Sequence, residues 1–320
     1  MLPLTRLLIF LTLCPFLSGQ VKFTRLSDRI RIDVDGKEFT QLIFDEKNNK
    51  PYLHPLRSVS GKSVTRRYPM EIVANEDTDH PHHRGVAFTH GDVNGTDFWA
   101  SEPSQKSPKQ GRILLDRVVE ASGGAKSGTL ITIFKWLDPQ GKPVLEERRT
   151  TIFYSHPTLR IIDFDIALKA VNGPVHFGDT KEGTFGVRVA TGLTEDHGGT
   201  MTSSDGRRSE KNIWGTRASW VDDSGIVEGE KLGLAVMDHP SNPRYPTYWH
   251  SRSYGLLAAN IFGKSEFLND KTQDGSLTLP ASEVLRFRYR IVVHPGDVRE
   301  AHLDSLYKEF SSITAGKGGE

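Results

Sequence analysis

The sequence predicts a mostly-β protein, a large antiparallel β-sandwich with one C-terminal helix. Three observations carry this. Leu285, Phe287, Tyr289 and Ile291 alternate with Arg286, Arg288 and Arg290, the period of two expected of a strand with one dry and one wet face. The same alternation sets Ile30, Ile32 and Val34 against Arg31 and Asp33, and Ile162, Phe164, Ile166 and Leu168 against Asp163 and Asp165. Turn residues such as Asp35-Gly36 and Pro139-Gln140-Gly141 punctuate the runs, as an antiparallel sandwich requires.

Taken in chain order, residues 1–19 read as a secretory signal. Arg6 supplies the positive charge, Leu7 to Phe16 the apolar run, and Leu17-Ser18-Gly19 the cleavage region, so the mature chain is expected to begin near Gln20. The apolar run is about half the length of a membrane span, and no later segment approaches one. The expected location is therefore periplasmic or extracellular. Cys14, the only cysteine, falls inside the signal, leaving the mature chain with no disulfide and no cysteine-ligated metal. Lipid attachment at Leu11-Thr12-Leu13-Cys14 is the alternative, disfavoured by the bulky Leu13.

Residues 20–313 are expected to form one β-sandwich domain, with no repeat or linker to divide it. Further strands are expected at 37–44, 111–121, 128–137, 143–154, 184–191, 217–222, 231–237 and 255–262, with Ser101–Gly111 as a surface loop. Asp297 before Val298-Arg299-Glu300 reads as a capping box, and Val298, Ala301, Leu306 and Phe310 follow near helical spacing. A closing helix over 298–312 and a flexible tail over 314–320 follow.

Composition narrows the function. With 36% hydrophobic and 25% charged residues the chain can bury a sizeable core. Lys and Arg number 41 against 40 Asp and Glu, a formal charge of +1, so no polyanion such as nucleic acid is indicated. A small-molecule or oligosaccharide substrate is the expected partner, and no pattern sets an oligomeric state. Phosphate-binding and dinucleotide-binding glycine loops, a His-Glu-x-x-His zinc motif and a Gly-x-Ser-x-Gly elbow are all missing from the sequence.

Polar chemistry concentrates in three places. The run Asp77-Thr78-Asp79-His80-Pro81-His82-His83-Arg84-Gly85, followed by His90, Asp92, Asp97 and Trp99, is the densest. A strand there places His80 and His82 on one face, as a substrate or metal clamp, with His83 pointing away. Pro81 argues for an edge or loop, and the histidines could equally pin a loop to the sheet. The second place is His176 to Gly183, where Gly178 and Gly183 allow turns that present Asp179, Lys181 and Glu182 together ahead of Arg188. A solvated surface turn is the alternative. The third is aromatic, Trp214 to Trp220 and Asp238 to His250, including Trp249; such residues suit sugar rings and their hydroxyls, although Trp136 and Trp220 read as core. Tyr52, His54 and Arg57 form a weaker set.

The strings His80-Pro81-His82-His83-Arg84-Gly85, Gly95-Thr96-Asp97-Phe98-Trp99 and Gly178 to Gly183 resemble an uncharacterised bacterial family labelled "methane oxygenase PmoA". The label itself does not transfer, because the monooxygenase subunit of that name is a multi-helix membrane protein. The resemblance implies an exported protein of polysaccharide-degrading bacteria, and the architecture is similar to the galactose-mutarotase super-sandwich, whose epimerases pair a histidine acid with a carboxylate base. The leading expectation is accordingly a carbohydrate-active acid/base enzyme: an epimerase, lyase or hydrolase. Its catalytic candidates are His80, His82, His83, Asp179 and Glu182. Its substrate-binding candidates are Arg84, His90, Asp97, Trp99, Lys181, Arg188, Trp249 and His250. No cofactor is expected. The alternatives are a non-catalytic glycan-binding protein and a divalent-metal enzyme using His80 and His82, with His90 or Asp92.

Overall fold

The computed structural model describes residues 20–314. The expected signal with Cys14, and the expected tail beyond Thr314, lie outside the described residues. In chain order the strands are β1 (Val21–Arg25), β2 (Arg29–Val34), β3 (Lys37–Ile43), β4 (Tyr52–Leu53), β5 (Val86–His90) and β6 (Arg112–Ser122). There follow β7 (Ser127–Leu137), β8 (Pro143–Tyr154), β9 (Arg160–Ala170), β10 (Val175–Phe177), β11 (Gly183–Arg188) and β12 (Thr200–Ser203). The last are β13 (Trp220–Val227), β14 (Glu230–Asp238), β15 (Tyr248–Arg252), β16 (Leu256–Asn260), β17 (Leu277–Leu279) and β18 (Val284–Pro295). Three helices, α1 (Glu210–Ile213), α2 (Lys264–Phe267) and α3 (Leu303–Ser312), interrupt or follow them.

The strands assemble into two eight-stranded antiparallel sheets in a sandwich. The first runs β1-β2-β3-β4-β5-β11-β16-β15 and the second β12-β13-β14-β18-β9-β8-β7-β6, while β10 and β17 form a separate pair. One buried cluster draws on both sheets. Phe88 and Phe185 of the first meet Trp136, Phe164 and Tyr289 of the second, with ring centroids 6.1, 4.9 and 4.4 Å apart in turn.

The expected strands at 37–44, 111–121, 128–137 and 143–154 fall on β3, β6, β7 and β8 to within one residue. The turn at Pro139-Gln140-Gly141 forms because Asp138 Oδ1 accepts the Gln140 and Lys142 amides and Gly141 takes φ +80°. The expected strand 184–191 stops at Arg188, ahead of a tight turn at Thr191–Leu193, and the strand expected at 217–222 shifts to 220–227.

Two expectations change more substantially. Arg288 and Arg290 do not face water: they are 8% and 1% exposed, and Arg290 forks onto Asp163 at 2.6 and 2.9 Å while its guanidinium lies over the Phe310 ring of α3. The helix covers the Arg288–Arg290 part of the face that alternation marked as wet, while Arg286 is exposed as expected. That helix also starts at Leu303, not at 298. The capping box does form, with Asp297 N donating to Glu300 Oε2 at 2.9 Å and Glu300 N to Asp297 Oδ1 at 3.2 Å. His302 then takes φ +52°, which breaks the helical path, and Leu303 resumes it fully buried.

Candidate functional site

Strands β5, β11, β16 and β15 lie side by side in the first sheet. Register aligns Phe185 with Phe88 and Ala259, which point into the sandwich, and Gly186 with Ala87 and Ala258, which point out. By the same parity Thr89, Thr184, Arg188, Asn260 and His250 face outward, yet all are buried. Trp99 closes over the small residues of this face: a Cβ on Gly186 would stand 3.0 Å from its Cη2.

The histidine segment sits at one edge of that face as a turn, not a strand, closed by His83 N donating to the His80 carbonyl at 3.0 Å. The expected split, with His83 pointing away, does not occur. All three rings share one aromatic cluster: His80 stacks on His83 at 4.9 Å and on Tyr254 at 5.1 Å, and His83 meets Trp99 edge-on at 5.3 Å. Pro81 and the left-handed His80 (φ +42°) produce this turn.

Asp79 and His80 form a hydrogen-bonded pair through Oδ2 and Nδ1. Burial alone would raise the Asp79 carboxyl, but the bond from His80 and the charges of Arg188 and Arg66 outweigh it and hold Asp79 at about 2. Arg188 Nη2 lies 2.7 Å from Asp79 Oδ1, and Arg66 donates to the same oxygen as well as to the His80 carbonyl at 2.9 Å. Because Asp79 is ionised, Nδ1 of His80 carries the proton, and Nε2 is left on a side chain that is 42% exposed. Burial, reinforced by the Lys50 charge, lowers His82 to about 3, and burial pushes His83 well below the usual imidazole range, so both are neutral at pH 7.

Beside them a cavity of about 20 Å³, room for roughly one water, is lined by Lys50, His82, His83, Arg84 and Trp99. Lys50 is buried and donates to the Trp99 carbonyl; burial lowers its ammonium to about 7 against the pull of Glu102 and Asp97.

Across the face, Lys181 Nζ lies 2.9 Å from Glu182 Oε1 and 3.3 Å from Glu266 Oε1. His250 Nδ1 is 3.0 Å from the Lys181 carbonyl, so the proton sits on Nδ1; burial lowers this imidazole to about 4. Asp97 Oδ1 accepts the Trp99 and Ala100 amides at 2.8 and 2.9 Å, fixing the turn that carries Trp99, and burial raises its carboxyl. The Glu182 charge acts on Asp97, His250 and Tyr254, and Tyr254 also feels Asp79.

A family model described as a family of unknown function, DUF6807, matches residues 29–308. The chain belongs to the DUF6807 family. This corrects the resemblance to a PmoA-labelled family drawn from the His-Pro-His-His-Arg-Gly string, since the model that spans the chain is a different one. No curated protein matches the DUF6807 sequence. Among solved structures it is similar to a GH36 α-galactosidase from Geobacillus stearothermophilus in complex with 1-deoxygalactonojirimycin, at 11% identity and TM-score 0.41, covering 88% of this chain and 41% of that one. It is also similar to a galactose mutarotase related enzyme from Lactobacillus acidophilus, at 9% identity and TM-score 0.36, covering 87% and 98%. A polysaccharide lyase matches at 11% identity and TM-score 0.34, covering 91% and 34%. The chain spans about two fifths of the galactosidase and one third of the lyase. These likenesses extend no further than the arrangement of strands.

The DUF6807 structure removes several expected residues from the site. His90 is inward-facing and fully buried, packed on Phe262 at 4.6 Å with Nε2 2.9 Å from the Gly178 carbonyl. Trp249 is also inward, its Nε1 donating to the Ala218 carbonyl at 2.9 Å. Strand parity decides both. Asp179 accepts the Ser265 and Gly275 amides at 3.0 and 2.8 Å and anchors the loop after α2. Arg84 forks onto Glu102 at 2.8 and 2.6 Å over the Tyr52 ring, so its guanidinium is already paired beside the cavity it lines. The Asp238–His250 loop bonds to itself and its neighbours: Asp238 accepts from Asn242 and Thr247, and Arg244 donates to the Ile261 and Ser276 carbonyls. Of that segment Tyr248 and His250 share the outward parity; Tyr248 stacks on Phe267, and His250 bonds the Lys181 carbonyl. His54 is buried beside Thr65 and Arg57 pairs with Glu38, away from it.

Asp79, Arg66, Lys50 and Tyr254 join the site without having been singled out. Asp79 was legible as an acid directly before His80; the other three come from distant segments that carry no local pattern. Among the described residues no group of three or more His, Asp or Glu side chains is arranged to hold a metal ion.

Proposed function

We propose that this chain is an exported carbohydrate-active enzyme that moves protons between a saccharide and two groups on the outer face of the first sheet. The observation that carries this is the Asp79–His80 pair, whose exposed ring stacks on Tyr254 and leaves Nε2 without a hydrogen-bond partner among the described residues. Asp79, kept ionised by Arg66 and Arg188, orients His80, and His80 in its protonated form acts as the acid through Nε2. Glu182, with Lys181 at its flank, takes the proton removed from the substrate. The neutral imidazole of His82 and the Trp99 and Tyr254 rings suit a hydroxyl-rich ligand better than a charged one. Proton removal at one side and donation at the other serves epimerisation or elimination alike.

The test is turnover of oligosaccharides and oxidised sugars by Asp79→Asn, His80→Gln and Glu182→Gln, with binding followed by calorimetry. Each substitution is expected to lower kcat by about 10²- to 10⁴-fold with little change in affinity. Unchanged turnover in the His80 and Glu182 variants sinks the assignment. Binding without any product makes the face a glycan-recognition surface instead.

A further inference from the structure

On the opposite side of the sandwich, over the outward face of the second sheet, lies a groove of about 640 Å³. It continues into a hollow of about 360 Å³, Thr202, Arg208, Val298 and Arg299 lining both. Its floor is the outward set of β12 and β13, Thr202, Trp220 and Ser224, as their register requires. Its walls are the turn before α1, held beside β12 by a bridge between Thr202 and Arg208, and the segment that leads into α3.

The charges in this groove are unbalanced. Arg207 is paired with Asp205 at 2.6 Å, and Lys231 with Asp297 and Glu300 at 2.9 and 2.8 Å. Arg208 and Arg299 are exposed and, among the described residues, only their backbone groups are bonded, so two guanidiniums face the groove unpaired. Asp304 is the single carboxylate lining the larger part, and Asp222 beneath the floor is matched by His294 at 2.8 Å. Trp220, 4% exposed, leaves its indole Nε1 buried without a partner at the floor. Leu303 to Ser305 add the positive end of α3.

We propose that this groove binds an acidic saccharide, its carboxylate or sulfate groups held by Arg208 and Arg299 and its hydroxyls meeting the Thr202 and Ser224 side chains of the floor. Guanidinium forks match both oxyanions, the hydroxyl-lined floor matches sugar hydroxyls, and two joined hollows suit a chain of more than one residue. The groove is independent of the acid/base site and stands or falls without it.

The experiment titrates the full chain with oligogalacturonate, a sulfated oligosaccharide and a neutral oligosaccharide, for the parent, R208Q/R299Q, R208K/R299K and D79N. Acidic oligomers are expected to bind the parent and D79N equally, to weaken about tenfold or more in R208Q/R299Q, and to stay within about threefold in R208K/R299K. Carboxylated and sulfated ligands separate the two oxyanions. Undiminished binding of the acidic oligomers to R208Q/R299Q overturns the proposal, as does a neutral oligomer whose binding weakens equally in R208Q/R299Q. Thermal melting of each variant keeps a folding defect from counting as loss of the site.

Discussion

Asp223 is a carboxyl placed where a carboxylate cannot be stable. It lies on the inward side of β13, fully buried, with neither oxygen bonded to any described group. Burial, and then the negative charges of Asp222 and Glu195, raise it well above the ordinary value of 3.8. The folded protein therefore keeps this proton while the unfolded chain releases it, so stability falls as pH rises above about 4. Asp223→Asn removes the titration without changing size. The gap in unfolding free energy between variant and parent is expected to open from near zero at pH 4, by up to about 1.4 kcal/mol per pH unit. Urea unfolding across pH 4–8 checks it, and a gap that stays constant with pH would show that Asp223 is ionised in the fold.

At the scale of elements, the site depends on segments that carry no chemistry themselves. Asp179 illustrates this: it was read as a catalytic carboxylate, and it instead accepts two backbone amides of the loop around α2. That loop supplies Glu266, whose carboxylate bonds both the Lys181 amide, at 2.6 Å, and the Lys181 ammonium. Asp179→Ala is expected to lower stability by about 1.5–3 kcal/mol, the range for hydrogen bonds to a charged group. Its effect on kcat should be no greater than its effect on KM. A large loss of kcat in a variant of unchanged stability returns Asp179 to the chemistry. The C-terminal helix works similarly, since Leu303 and Phe310 cover Ile161, Trp220 and Val292 on the outward face of the second sheet.

At the scale of the molecule, the two sheets are joined by large rings. Phe153 of the second sheet meets Phe23 and Phe39 of the first at 5.8 and 6.3 Å and is fully buried. Phe153→Ala is expected to cost about 3–5 kcal/mol, read as a lower denaturation midpoint with an unchanged slope. Our proposal of export also belongs here. Expression of the full chain in a Gram-negative host should yield periplasmic protein whose first residue, by N-terminal sequencing, is close to Gln20; an intact Met1 on cytoplasmic protein would refute it.

The sequence by itself determined the strand content, because a strand that packs on one side must alternate, and β2, β9 and β18 do so in plain view. It also marked the dense histidine run. It did not determine which side of an alternating strand meets water: Arg290 alternates like a surface residue and is buried beneath α3. Nor did it separate His250 from Trp249, neighbours on β15 whose opposite parity sends one to the site and the other to the core. Period two states that faces differ, not what covers each. The Asp79–His80 pair, its two arginines and Tyr254 come together only when segments far apart in the chain are folded onto one sheet, a juxtaposition that no local pattern encodes.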